Sequence, residues 1–257
     1  MNVPTLHERY HELHGLRAEG LRRYGRLPFP QTGGPPARIS FPSFGRKVGP
    51  YASVGIGPFV IGDFPPIARV ALECFAAIDR PVDVLEIGPG RGVLAGLLRE
   101  RYPEKIAAYY GVELDPHVEG PYVRVAGVRD AGPIDVAIAS EVIEHVPAEV
   151  CYAEFLAPLA AIVRPGGTAI FSIPNPLVPG GIVRDFTHVQ NYAWYDLYAI
   201  LRLAFARVDV TRTHYVFGPG RMFGLPGRVA IAKMQELDWC EGLIAVARDP
   251  IAPTPAT

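Results

Sequence analysis

Between residues 82 and 101 the chain runs from an apolar stretch, Val82-Asp83-Val84-Leu85-Glu86-Ile87, through Gly88-Pro89-Gly90-Arg91-Gly92, into a helix expected over Val93–Arg101. A strand buried on both faces reads as a near-continuous apolar run. The glycines permit a tight turn and close backbone approach, and the helix N-terminus that follows offers free N–H groups. In open α/β sheets ligands bind beyond the carboxyl ends of the strands, at the switch point, and this turn falls there.

The rest of the chain continues the alternation. Strands are expected at Ala107–Glu113, Tyr122–Ala126, Ile134–Ala139, Thr168–Ile173, Arg207–Thr213 and Leu243–Arg248. Helices are expected at Ile67–Ile78, Ala148–Val163 and Tyr192–Phe205, with Arg164-Pro165-Gly166-Gly167 breaking the chain after the second of these. This is the pattern of a doubly wound parallel sheet.

The N-terminal quarter has a different grain. Residues 5–24 read as a helix with Leu6, Tyr10, Leu13, Leu16, Leu21 and Tyr24 in a ragged stripe. His7, His11 and His14 share one side, which is expected to be solvated or to pack as a lid rather than to hold a metal. From Pro28 to Pro66, recurring Pro and Gly rule out a long helix or central strand. Val48-Gly49-Pro50, Val54-Gly55-Ile56 and Val60-Ile61-Gly62 repeat every six residues, too few hexads to stack a solenoid. Residues 1–66 are therefore expected to form an arm covering the active site, 67–249 the catalytic domain, and 250–257 a disordered tail.

Charge and composition narrow the partners. With 25 basic and 26 acidic residues and a net charge of −1, the chain lacks the basic footprint of a nucleic-acid binder, so a small molecule is the expected partner. Cys74, Cys151 and Cys240 stand apart without CxxC spacing, which fits a reducing cytoplasm. Charged residues occupy the N-terminus where a signal peptide needs an apolar run, and no stretch approaches about 18 apolar residues, so no membrane span is expected.

A second acid sharpens the cofactor reading. Glu113 closes the second strand, 21 residues after Gly92, where a carboxylate can accept hydrogen bonds from both ribose hydroxyls of an adenosine. Gly90-Arg91-Gly92-Val93-Leu94-Ala95 also satisfies the dinucleotide pattern GxGxxA, which keeps an NAD enzyme in view. Glu86, directly before the glycines, opposes it: a pyrophosphate would be repelled there, while the ammonium of a methionine moiety would be attracted.

Here the sequence resembles the class I S-adenosylmethionine-dependent methyltransferases, over roughly residues 67–249. Val84 to Gly92 matches their first motif and Tyr110-Gly111-Val112-Glu113 their acidic second. Asp135 to Val146 looks like their fourth strand and turn, and Arg164 through Pro176 like the next. The resemblance implies a Rossmann-like seven-stranded sheet in the order 3-2-1-4-5-7-6, the last strand antiparallel, preceded here by the helical and Pro/Gly-rich arm. It implies S-adenosylmethionine as cofactor, bound by the turn that includes Gly90 and Gly92, with Glu86 and Gly88 near its methionine part, Glu113 on the ribose, and Ser140 and Glu141 beside the sulfonium. One departure stands out: between Glu113 and Tyr122 the chain is too short for the helix the family places there. Asp130 is the candidate for the adenine amino group, or else a plain turn aspartate.

Methyl transfer from a sulfonium is an in-line displacement, so positioning and exclusion of water dominate, and a base matters only for a protonated acceptor. His145 and His188 are the candidates for that base. Pro174–Gly181 with Tyr192, Trp194, Tyr195 and Tyr198 lies where the family builds its acceptor pocket, although aromatics on a helix also serve as core. Glu141, Glu144, His145 and His188 form a candidate divalent-metal set, and their spacing resembles the metal motif of small-RNA 3′-end 2′-O-methyltransferases and of quinone-pathway O-methyltransferases. The expected activity is methylation of an O or N of a small molecule. The alternatives are a metal-dependent RNA 3′-terminal 2′-O-methyltransferase and an S-adenosylmethionine-binding protein that does not methylate.

Overall fold

The structure, a computed structural model, describes residues 6, 8–24, 67–176, 187–212 and 242–251. The Pro/Gly-rich arm with its hexads, His7, most of the segment Pro174–Gly181, Cys240 and residues 252–257 lie outside the described residues.

Seven strands form one sheet in the order β3-β2-β1-β4-β5-β7-β6. They are β1 (Val82–Ile87), β2 (Ile106–Val112), β3 (Val123–Arg124), β4 (Ile134–Ser140), β5 (Val163–Pro174), β6 (Phe205–Arg212) and β7 (Gly242–Pro250). β1 through β5 pair in parallel, and β7 runs antiparallel to both β5 and β6. This is the order that the sequence resemblance implied.

Side chains alternate across the pleat and so build two apolar layers. On one face Val82, Val84 and Tyr109 meet α2 (Ala68–Ala77) and α3 (Val93–Arg101) through Phe75, Leu94 and Leu98. On the other, Leu85, Ala137 and Phe171 meet the helices after β4 and α6 (Trp194–Arg202) through Leu156, Leu159, Leu197 and Leu201.

α1 (Tyr10–Tyr24) docks on α6. Gly20 is buried against Tyr198, where an added Cβ would lie 2.8 Å from the ring's Cδ1. Glu19 accepts hydrogen bonds from the Tyr198 hydroxyl and from Arg202, while Arg17 pairs with Asp196 and Arg23 with Asp209.

Several boundaries differ from expectation for local reasons. The helix expected over Ala148–Val163 comprises α4 (Ala148–Val150), a π-helical stretch over Cys151–Leu156, and α5 (Ala157–Ile162). Pro158 supplies no N–H to the turn before it, and the Ala157 N–H reaches back five residues to the Tyr152 carbonyl. Arg164–Gly167 does not end the strand either. β5 runs through it with a bulge, pairing Ile134 with Val163 and then Val136 with Thr168, and Gly166 takes φ 80° in that extra loop of chain. α6 is shorter than expected because Phe205 already opens β6. No helix separates β2 from β3, as the short spacing predicts. At the far end β7 includes Pro250, and the Ile251 N–H donates to the Ala204 carbonyl at 2.8 Å, so order extends past the expected start of the tail. Among the described residues no helix is long and apolar enough to cross a membrane.

Candidate functional site

β1 carries β2 on one side and β4 on the other, so the chain beyond Ile87 opens into the crevice where the strand order reverses. Gly88, Gly90 and Gly92 have φ of 66°, 53° and 71°. L-residues with a Cβ enter this left-handed region at a cost of roughly 1–2 kcal/mol each, which is why glycine recurs there. Gly88 N–H donates to the Val112 carbonyl, fixing the turn to β2, and Gly92 begins α3. A Cβ on Gly90 would meet no atom within 4 Å, so this side of the turn is open. An open backbone cradle beside a helix N-terminus and a carboxylate fits an adenosyl cofactor that needs close approach and hydroxyl acceptors.

Glu113 supplies that carboxylate. Its Oε2 accepts from the Gly90 N–H at 2.9 Å and its Oε1 from the Asp115 N–H at 3.0 Å, so it ties the turn to the end of β2. The Tyr122 hydroxyl donates to the Gly90 carbonyl at 2.8 Å. Arg124 donates to the carbonyls of Glu113, Asp115 and Val118, organising the loop that stands where the absent helix would be. Asp130 is exposed on a 3-10 turn, Val128–Ala131, and its N–H closes that turn on the Gly127 carbonyl.

Glu86 is only 3% exposed and accepts a 2.6 Å bond from the buried Tyr109 hydroxyl, on the face covered by α2 and α3. Burial pushes its carboxyl up to about 7, against the Tyr109 hydrogen bond, which pulls it down. Burial and the neighbouring Glu86 likewise raise the Tyr109 phenol.

At the end of β4 the Ser140 hydroxyl faces the Ser172 hydroxyl at 3.2 Å, and the Glu141 N–H donates to the Ser172 carbonyl at 2.9 Å. Glu141 has φ 54°, one of two non-glycine residues with positive φ among the described residues. Such strain concentrates where a backbone must present a group to a ligand. Burial pushes its carboxyl up, opposed by a hydrogen bond with Ser172.

The four candidate metal ligands do not all converge. Glu144, His145 and His188 offer ligand atoms within 4.8 Å of one another, while Glu141 lies outside that group, tied to Ser172 before the 3-10 turn Ile143–His145 begins. The helical turn expected to carry Glu141, Glu144 and His145 is replaced by an αL residue, Glu141, followed by a short 3-10 turn. His145 Nδ1 lies 3.1 Å from the Thr187 carbonyl oxygen and 3.0 Å from the Thr187 hydroxyl, so Thr187 holds the orientation of the ring through that nitrogen. The His145 and His188 rings meet edge to face at 4.8 Å. Val189 and Gln190 N–H both donate to the Glu144 carbonyl, wrapping the segment after Thr187 around this turn.

The aromatics expected near the acceptor divide. Trp194, Tyr192 and Tyr198 are buried, and Tyr198 serves the α1 interface, while Tyr195 is partly buried beneath the Arg17 guanidinium.

Residues 63–215, more than half of the chain, match the family model described as a methyltransferase domain. The chain belongs to this methyltransferase family. An uncharacterized methyltransferase from Mycobacterium sp. (strain KMS) is 35% identical over 118 residues, covering 41% of this chain and 44% of that protein. The chain thus spans less than half the length of this curated relative. A SAM-dependent methyltransferase from Archaeoglobus fulgidus has a similar fold at 18% identity and a TM-score of 0.50, covering 71% of this chain and 93% of that one. So has the Burkholderia thailandensis 1,6-didemethyltoxoflavin-N1-methyltransferase, at 20% identity and TM-score 0.50, covering 73% and 79%.

For this family member, sequence motifs located the turn and Glu113 but missed Tyr109, Tyr122, Ser172 and Thr187. Tyr109 pairs with Val84 and Glu86 with Gly111, so the Tyr109 and Glu86 contact is a diagonal one that only the register reveals. Tyr122 had a fainter signal: Gly92, Gly111 and Gly120 are all glycines whose Cβ would strike Pro121 or Tyr122.

Proposed function

We propose that the protein transfers a methyl group from S-adenosylmethionine to an O or N atom of a small-molecule acceptor. The observation that carries this is Glu113, an acceptor-only carboxylate held against the open Gly90 turn at the switch point. When bound, the cofactor supplies an electrophilic methyl on a sulfonium. The chain's own residues then bind and orient: Gly88 to Gly92 permit close approach, Glu113 accepts the ribose hydroxyls, and Ser140 and Glu141 line the end of β4. Asp130 is assigned to the adenine edge. For a hydroxyl acceptor, His145 is the proton acceptor, its ring oriented by Thr187 through Nδ1. Glu86 acts behind the turn, through the Tyr109 bond. α1, docked on α6, belongs to the same unit, and residues 1–66 are proposed to cover the acceptor side. The Burkholderia thailandensis fold neighbour, solved with 1,6-didemethyltoxoflavin and S-adenosylhomocysteine, supports a small acceptor, as does the near-neutral charge.

Calorimetric titration tests the reading. S-adenosylhomocysteine should bind and NAD should not, and Glu113→Ala should weaken binding by about 1–3 kcal/mol. NAD binding, or unchanged affinity in Glu113→Ala, overturns it.

A second reading has its own observation, the convergence of Glu144, His145 and His188. One carboxylate and two imidazoles suit a divalent ion, and the Thr187 carbonyl and hydroxyl beside His145 Nδ1 are contacts of the kind that orient a ligating imidazole. A bound cation would lower the pKa of a hydroxyl acceptor. This is the reading under which an RNA 3′-terminal hydroxyl would be the acceptor, and the net charge of −1 opposes that substrate. Elemental analysis, with transfer assayed after chelation and after re-addition of Mg, Mn, Fe or Zn, separates the two.

A further inference from the structure

The glycine turn is bracketed on both sides of a single residue. Gly90 sits at φ 53° and is achiral, so nothing intrinsic holds it there rather than in the mirror-image region. Its N–H is held by Glu113 Oε2 at 2.9 Å and its carbonyl by the Tyr122 hydroxyl at 2.8 Å. Of these two anchors, Glu113 is the one that ribose hydroxyls would also engage, so they compete with the Gly90 N–H for its carboxylate. Tyr122 is the anchor that such competition leaves intact.

The surroundings of Tyr122 are shaped for that role. A Cβ on Gly111, in β2, or on Gly120 would strike its ring, and a Cβ on Gly92 would lie 2.5 Å from Pro121 Cδ. Pro121 and Tyr122 thus occupy a slot made by three glycines from the turn, the second strand and the loop. Arg124, two residues on, holds the carbonyls of Glu113, Asp115 and Val118. Together these residues brace the turn where no helix stands between β2 and β3.

We propose that Tyr122 is a positioning residue for S-adenosylmethionine, fixing the Gly90 carbonyl so that the turn is already in its binding conformation when the cofactor arrives. This rests on the cofactor reading above. A turn that must be ordered on binding lowers apparent affinity by the fraction of molecules in the competent state.

The test uses the full chain, labelled with 15N-glycine, and S-adenosylhomocysteine as the probe. Tyr122→Phe keeps the ring in its slot and removes only the hydroxyl. It should bind about fivefold to tenfold more weakly, the range expected for one hydrogen bond. Its ligand-free melting temperature should fall by only a few degrees, the effect of losing one hydrogen bond. The Gly90 amide resonance should move in the free variant and return to the wild-type position at saturation, a signature that general loss of stability does not produce. Gly120→Ala is the second arm: its methyl group displaces the Tyr122 ring and should cause a similar loss of affinity. Binding within twofold of wild type in both variants, or an unmoved Gly90 resonance in Tyr122→Phe, overturns the proposal alone. Failure of the wild-type protein to bind S-adenosylhomocysteine overturns the cofactor reading with it.

Discussion

Glu86 and Tyr109 face each other across neighbouring strands with almost no solvent contact. Desolvation holds the Glu86 carboxyl at about 7, well above the usual value for glutamate. A carboxyl raised in the folded state binds more protons there than in the unfolded chain, so stability falls as pH rises between the two values. Its stabilising contribution is complete below about pH 4.5 and is lost as pH climbs through about 7. Glu86→Gln should abolish most of that slope, giving a variant less destabilised between pH 5 and 8 by a few kcal/mol at most, about 3 as an upper figure. Urea denaturation at both pH values measures it, and an unchanged slope would place the titration elsewhere. The glycine turn was legible because its chemistry lies in adjacent residues, and Glu113 because it closes the next strand of the same strand–turn–helix–strand unit. The Tyr109 hydroxyl that bonds the Glu86 carboxyl was not, because that contact depends on how two strands are registered.

Helix α1 illustrates what periodicity can and cannot reach. A stripe of leucines and tyrosines predicted the helix, yet its docking depends on a glycine and on charges: Gly20 lets Tyr198 close in, and Glu19, Arg17 and Arg23 bind α6 and β6. Gly20→Val should therefore force the two helices apart at a cost of about 1–3 kcal/mol, read as a lower melting temperature. A variant that melts like the parent would argue that α1 is not packed on α6 in solution. The same limit governs the π-helical stretch and the bulge in β5. Pro158 and Gly166-Gly167 both advertise a break, but the sequence does not say that the chain absorbs each without leaving its helix or strand.

At the scale of the whole molecule, stabilising charges and the cofactor turn occupy opposite ends of the sheet. Near the start of β4, Asp135 is 5% exposed and accepts from Arg80 and Arg164 at 2.7 Å each and from the Asp83 N–H, while Arg164 also reaches Asp83. Burial pushes the Asp135 carboxyl up, but the Arg80 hydrogen bond, the Asp83 N–H and Arg164 outweigh it and hold it below the usual aspartate range. Strands rise about 3.3 Å per residue, so the cofactor turn at the far ends is roughly 20 Å away. Asp135→Ala should cost about 1–3 kcal/mol of stability, the arginines being partly solvated, while S-adenosylhomocysteine affinity stays within about twofold. A large loss of affinity with stability intact would show that the two ends are coupled.

The last strand has a consequence for synthesis on the ribosome. β7 lies between β5 and β6, and among the described residues β7 is the strand that β6 pairs with in the sheet. β6 is made first, and its pairing with β7 waits until the chain through Pro250 has left the exit tunnel. The five parallel strands around the glycine turn are all translated before that point. Up to that point the β5 edge that β7 later takes lacks this partner, which makes the interval the one in which a chaperone or a neighbouring chain would find a strand to pair with.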